Sequence, residues 1–176
     1  QKAKYLEPLM AGDIVSCFSM TEPQGGADPG EFTCKATLEG GHWVIEGEKW
    51  FSSNAKLAAF LLVICVTDAD APITSRMSMF IVPTETPGIN FLRHVGIPGD
   101  LPGEGHHAHI RYEKVRVPLD HMLGERGGGL GALRLQECPD GLAQFFLFFG
   151  EGKVHGVSLR CSVRPPPVDV CTLVYT

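Results

Sequence analysis

Cys17-Phe18-Ser19-Met20-Thr21-Glu22-Pro23-Gln24-Gly25-Gly26-Ala27-Asp28 is the stretch from which the rest of the chain can be read. An apolar, strand-like run ends in a Thr21-Glu22-Pro23 corner and opens into a loop with two adjacent glycines. Gly25 and Gly26 let the backbone take positive φ and bring N–H groups close to a partner. Pro23 holds the corner, and the Thr21 hydroxyl can both donate and accept. Two readings of these residues stand side by side: a solvent turn between strands, or a loop whose backbone lies against a ligand.

Working outward, Ile14–Met20 is rich in strand formers, and Phe32–Leu38 alternates. The alternation predicts Phe32, Cys34, Ala36 and Leu38 on one face, with Thr33, Lys35 and Thr37 on the other. Glu39-Gly40-Gly41-His42 is a hairpin turn signal. Trp43 and Ile45 then share a face, and Gly47 is expected to break that strand before Trp50-Phe51. Ala58–Val66 is a near-continuous apolar run, expected of a strand buried on both faces. Met77–Val82 resumes the sheet, and Ile89–Arg93, His109–Tyr112 and Val115–Val117 read as further short strands. Short strands joined by Gly/Pro turns predict a mainly β protein, with an all-β barrel over residues 14–118.

The ends differ in texture. Gln1–Met10 spaces Tyr5, Leu6, Leu9 and Met10 as the last turns of a helix, with Pro8 inside it. A helix end without its beginning is expected where a chain starts inside a larger parent, so 1–13 is assigned to the end of a helical domain. Residues 119–131 carry the glycines of a hinge, Gly124 and Gly127-Gly128-Gly129-Leu130-Gly131. From 132 to 176 neither helical periodicity nor a strand ladder can be read, and an irregular tail with an exposed Phe145–Phe149 patch is expected.

Composition narrows the function classes. The chain of 176 residues is 44% apolar and 20% charged, ordinary for a globular domain able to bury a core. Fifteen Lys plus Arg against 20 Asp plus Glu give a formal charge of −5, and no basic stripe with interleaved aromatics invites nucleic acid. Six cysteines are irregularly spaced without a C-x-x-C, which argues against a zinc site and for a reducing compartment. No apolar run is long enough to span a bilayer, so a soluble intracellular protein is expected, of cytoplasm or mitochondrial matrix.

A second stretch, Ile45-Glu46-Gly47-Glu48-Lys49-Trp50-Phe51-Ser52-Ser53-Asn54, decides between the two readings of the first. Together they resemble the paired flavin-contacting signatures of acyl-CoA dehydrogenases. Pro87-Gly88-Ile89 and the run Val115-Arg116-Val117-Pro118 with Gly124-Glu125 extend the resemblance over residues 1–131. The order and spacing of these motifs, each weak alone, carry it.

The resemblance implies the family's middle-domain β-barrel, FAD as cofactor and an acyl-CoA thioester as substrate. The implied reaction of fatty-acid metabolism is α,β-dehydrogenation, with a glutamate base taking the α proton and a hydride passing to the flavin. It implies an electron-transfer flavoprotein or similar acceptor, and a homo-oligomeric parent. Carried over residue by residue, Phe18, Ser19, Met20 and Thr21 lie along the flavin, with Gly26 and Ala27 near the pyrophosphate and Ala27 also near the acyl-CoA. Phe51 falls where the family has a ring-stacking Trp, Ser52 beside it, and Ser53 where a hydroxyl approaches N5.

Two departures stand out. Ala27 occupies a position often held by Ser, which leaves only a backbone amide, and Phe51 replaces Trp beside Trp50. The family's base belongs to its C-terminal helical domain, so no catalytic residue is named; Glu22 and Glu48 are candidates by residue type only. Turnover by this chain alone is not expected. A non-catalytic module binding flavin or acyl-CoA, and a barrel that binds neither, are the alternatives.

Two further patterns carry less. Gly127-Gly128-Gly129-Leu130-Gly131-Ala132 satisfies G-x-G-x-x-A, but no buried strand precedes it, so a flexible hinge is the better reading. Three histidines in Gly105-His106-His107-Ala108-His109 have metal-ligand chemistry but no Cys or carboxylate at ligand spacing, so a loop and strand start is expected.

Overall fold

The computed structural model describes residues 1–96 and 106–129, together with the backbone of 142–145 and 157–160. Eight strands form a single sheet: β1 (Ser16–Ser19), β2 (Lys35–Glu39), β3 (His42–Ser53), β4 (Phe60–Val66), β5 (Met77–Pro83), β6 (Ile89–Val95), β7 (His107–Pro118) and β8 (Met122–Leu123). The hydrogen-bonded order is β6-β7-β3-β2-β4-β5-β8, with β1 parallel to β4. The sheet curls on itself, so that Trp43 of β3 meets Phe80 of β5 edge to face, ring centroids 5.3 Å apart. Inside lies a continuous apolar core drawn from β1 to β5 and β7, including Cys17, Ile45, Leu61, Val63, Val82 and Ile110. Side chains from β6 and β8, Ile89, Phe91 and Met122, pack on this core and complete the barrel.

The apolar run in β4 has a direct cause. Leu61, Val63 and Cys65 face the main core, while Ile64 and Val66 join Phe32, Met77 and Met79 in a second cluster outside it. Phe60 belongs to a third cluster, with Ile81 and with Tyr5 and Leu9 of the N-terminal helix. A strand covered on both faces has no polar side, so its sequence has no alternation.

Local chemistry explains the turns. Gly40 and Gly41 both take positive φ (55° and 75°) between Glu39 and His42, the geometry a tight two-residue hairpin requires. At the N-terminus, Pro8 has no N–H, and the turn before it widens: Glu7 N–H reaches back to Lys2 O. The helical piece Glu7–Ala11 then stops at Gly12, φ 80°.

Several expectations are corrected. Gly47 does not break the strand. β3 runs twelve residues through it, with a register shift between Ile45 and Gly47 against β7. Likewise β7 is one twelve-residue strand rather than two short ones, with Lys114 at φ 51°. A bulge lets a long strand bend without ending, and the partner strand decides where it falls. Leu38, two residues before the Gly40-Gly41 turn, is exposed although Phe32, Cys34 and Ala36 are buried.

Residues 122–129 lie against the barrel rather than hanging from it. β8 pairs with β5, Gly127 N–H donates to Ser78 Oγ at 2.8 Å, and Gly129 N–H to Met77 O at 2.7 Å. A Cβ on Gly127 would come within 2.6 Å of Ser75 O, so the glycine permits close approach. Strands β9 (Leu142–Phe145) and β10 (Val157–Arg160) pair antiparallel where no ladder is read from sequence. Of the expected Phe145–Phe149 patch only the backbone of Phe145 is described; its other residues, and Gly105, Cys138, Cys161 and Cys171, lie outside the described residues.

Candidate functional site

The two signature segments, far apart in sequence, are joined by their backbones and by one buried ion pair. Trp50 N–H donates to Thr21 O at 2.9 Å. One residue away on each side, Lys49 Nζ donates to Met20 O and to Glu22 Oε1, both at 2.7 Å. The Lys49 and Glu22 side chains are 0% and 1% exposed. Glu22 also accepts from the Thr33 N–H (2.7 Å), the Thr33 hydroxyl (3.1 Å) and the Cys34 N–H (3.0 Å), with Gln24 Nε2 as a further donor. The Lys49 ammonium lies 4.5 Å from the centroid of the Phe32 ring. Burial alone would raise the Glu22 carboxyl; the Lys49 charge and the bonds from Lys49, Thr33 and Gln24 outweigh it and hold it below the usual carboxylate range.

Beside the ion pair is a buried hydroxyl cluster. Ser19 Oγ lies 2.8 Å from Ser52 Oγ and 2.9 Å from the Tyr112 hydroxyl. Burial pushes the Tyr112 phenol up despite its bond to Ser19, and pushes the Cys17 thiol up to about 12 despite its bond to Ser52. The side chains of Ser19 and Ser52 therefore point into the barrel, and both residues are fully buried.

The outward face is built by a bulge. The β3–β7 ladder pairs Lys49 with Ile110 and resumes at Ser52 with Ala108, which leaves Trp50 and Phe51 without ladder partners. Phe51 takes φ 52°, a costly conformation for a bulky residue, and the residue is 38% exposed. Its centroid is 4.9 Å from Trp50 and 6.1 Å from His107. Ser53 Oγ meets His107 Nδ1 at 2.7 Å. Phe51, Trp50 and Ser53 thus form an apolar wall with one hydroxyl on its rim.

The loop after Thr21 is tightly turned. Asp28 N–H donates to Gly25 O at 2.9 Å, and the Asp28 carboxylate accepts from Gly30 N–H at 2.8 Å. Gly26 takes φ 52° with open space where a Cβ would be, so it is needed for conformation, and Ala27 beside it is exposed. Phe18 and Met20 are half-buried against the cluster of Phe32, Ile64 and Met79. Thr21 is half-buried at the strand end.

Of the two glutamates, Glu22 is committed to the ion pair. Glu48 is held below the usual carboxylate range chiefly by hydrogen bonds from Arg111 (2.8 Å) and His109 (2.7 Å). Neither is poised as a base near neutral pH. His107 and His109 are engaged with Ser53 and Glu48 respectively. The depression of about 540 Å³ between Glu46, Glu48, Arg111 and Lys114 is open to solvent and ringed by charged side chains.

Lys49 and Tyr112 were not among the residues singled out from sequence; Ser19 and Ser52 were, as flavin contacts, and the structure turns their side chains inward onto Tyr112. A signal for Lys49 exists: counting by two from Trp43 and Ile45 places it on the inward face, where an ammonium demands a buried acceptor.

Comparison with known proteins converges on one family. The model of the acyl-CoA dehydrogenase middle domain matches residues 17–108, more than half of the chain. FadE2 of Mycobacterium tuberculosis, described as a probable acyl-CoA dehydrogenase, is 36% identical over 148 residues, 78% of this chain and 36% of its own length. YngJ of Bacillus subtilis (strain 168), described in the same words, is 36% identical over 178 residues, 99% of this chain and 42% of its own, so that alignment reaches into residues 132–176. The solved acyl-CoA dehydrogenase of Geobacillus kaustophilus superposes with a TM-score of 0.65 at 29% identity, over 75% of this chain and 34% of that one. The chain spans less than half the length of each of these relatives. By its barrel, its paired signatures and these matches, the chain belongs to the acyl-CoA dehydrogenase family and carries that family's middle domain.

Proposed function

We propose that this chain provides the flavin- and acyl-CoA-contacting barrel of a FAD-dependent acyl-CoA dehydrogenase. The observation that carries the reading is the Trp50 N–H to Thr21 O bond, which sets the Met20–Thr21 strand end beside the exposed Phe51 wall. FAD, when bound, supplies the acceptor for the hydride leaving the acyl β carbon.

The residues present suit that group. A flat apolar wall at Phe51, with Trp50 behind it, excludes water from one face of a ring. The Ser53 hydroxyl, oriented by His107, is a hydrogen-bond partner on the wall's rim. Phe18 to Thr21 offer backbone along the strand end, and Gly26 and Ala27 offer exposed backbone to phosphate or thioester. Ser19 and Ser52 are fully buried, with their hydroxyls spent on each other and Tyr112, and support the neighbouring positions from inside the barrel.

Glu22 and Glu48 are both engaged and held below the usual carboxylate range, so the base is assigned to a C-terminal helical region, as in the family. Residues 1–13 are assigned to the end of a preceding helical domain, 14–118 to the barrel and 119–131 to its exit. The electron acceptor is proposed to be a flavoprotein.

The test is an absorbance spectrum of the purified chain before and after incubation with FAD and desalting, followed by acyl-CoA addition. A retained flavin band that bleaches with acyl-CoA supports the enzyme reading. A band that does not bleach identifies a binding module, and no band identifies a barrel that needs further structure to hold cofactor.

A further inference from the structure

We propose that the buried Glu22–Lys49 ion pair is the positioning device that sets the flavin-facing segments against each other, an inference that rests on the function proposed above. The ladder to β7 cannot do this, because it lapses between Lys49 and Ser52 where Trp50 and Phe51 sit. Lys49 is the last residue paired before the gap, and its ammonium reaches across to Met20 O and Glu22. The ion pair and the Trp50–Thr21 bond therefore lie side by side, with Lys49 next to Trp50 and Glu22 next to Thr21.

Glu22 does a second task. Its carboxylate begins the loop that carries Gly25, Gly26 and Ala27, and it also accepts from Thr33 and Cys34 where that loop ends. One side chain thus ties both ends of the glycine loop to the same point on β3. Gly47 helps from below: a Cβ there would lie 2.6 Å from Cys34 Cα, so its absence lets the Cys34 backbone settle on β3. An apolar pair of equal volume would serve the core as well or better, since desolvating two charges offsets most of their attraction. What an apolar pair cannot supply is direction: three donors on Lys49 and two oxygens on Glu22 fix distances to four backbone sites, Met20 O, Thr33 N, Cys34 N and, through its neighbour, Thr21 O.

The experiment uses the full chain with E22Q/K49M, which removes both charges at nearly constant volume, and with K49R, which keeps the charge. Residue-resolved hydrogen exchange is measured beside FAD titration. The expected result is exchange at least tenfold faster at the Trp50, Thr33 and Cys34 amides of E22Q/K49M, unchanged exchange in the β4–β5 ladder, and partial recovery in K49R. FAD affinity is expected to fall at least tenfold in E22Q/K49M. Unchanged Trp50 protection, or acceleration spread evenly over the barrel, would overturn the positioning role, as would unaltered FAD affinity. If E22Q/K49M does not fold, K49R, which keeps the charge but changes the donor geometry, is measured by the same criteria. If the wild-type chain holds no FAD, cofactor binding by this chain alone fails while the exchange pattern still decides the positioning role.

Discussion

Replacing Lys49 with methionine isolates the energetics of the barrel's buried charge. At 2.7 Å and an effective dielectric constant near 20, the gross attraction between Lys49 and Glu22 is about 6 kcal/mol. Lys49→Met removes that attraction and strands a carboxylate that is 1% exposed, while the donors from Thr33, Cys34 and Gln24 remain. Breaking a buried pair from one side costs about 3–5 kcal/mol, a large share of the ~5–15 kcal/mol that holds a domain folded. Urea denaturation at pH 7 is expected to show a loss of this size, with E22Q/K49M recovering much of it. The pH dependence carries a sign. In the wild type the Glu22 carboxyl titrates below its ordinary value, so its contribution is present above about pH 4.3 and is lost as pH falls through the folded value. In Lys49→Met the stranded carboxyl is raised by burial and takes up a proton sooner, so the gap between mutant and wild type narrows from pH 7 toward pH 4. A cost below about 1 kcal/mol at pH 7, or a gap that widens on acidification, would refute this account.

Other outcomes follow from single contacts. Gly47→Ala places a Cβ 2.6 Å from Cys34 Cα at φ 139°, and should cost about 2–4 kcal/mol in a denaturant titration, from overpacking and backbone strain together. Phe51→Gly relieves the positive φ (52°) and should leave the melting temperature unchanged or slightly higher, while flavin retention falls; a large loss of stability would show that the ring serves the fold rather than a ligand. The thiols of Cys17, Cys34 and Cys65 are buried and unpaired as disulfides, with Cys34 and Cys65 sulfurs 3.9 Å apart. Peptide mapping after iodoacetamide at pH 8 should find them labelled at least about tenfold more slowly in native than in urea-unfolded protein. Because burial raises the Cys17 thiol, the unfolded chain loses that proton first. Stability should therefore decline as pH rises above about 8.5.

Local chemistry was legible in the chain before any tertiary contact was known. The Gly40-Gly41 turn, the stop at Gly12 and the two-sided burial of β4 follow from backbone freedom and from the absence of polar alternation. The loop glycines and aromatics of the two signatures could be named as a candidate site because the two stretches together resemble the family's flavin-contacting signatures; residue pattern alone fits a solvent turn as well. What the sequence could not say is which strand continues and which side chain turns inward. β3 passes through Gly47 and β7 through Lys114 because bulges are settled by the partner strand, whose register is a long-range property. Ser19 and Ser52, equal to their neighbours as residue types, lose their hydroxyls to Tyr112 of a strand far along the chain. Glu22 and Lys49 read separately as a loop carboxylate and a strand lysine. Only folding brings them together at 2.7 Å, out of water, where each becomes the condition for burying the other. Sequence by itself determined the family and the barrel; tertiary structure decided which side chains of the two signatures turn outward and which turn into the core, because orientation in a curved sheet depends on registers that no local pattern contains.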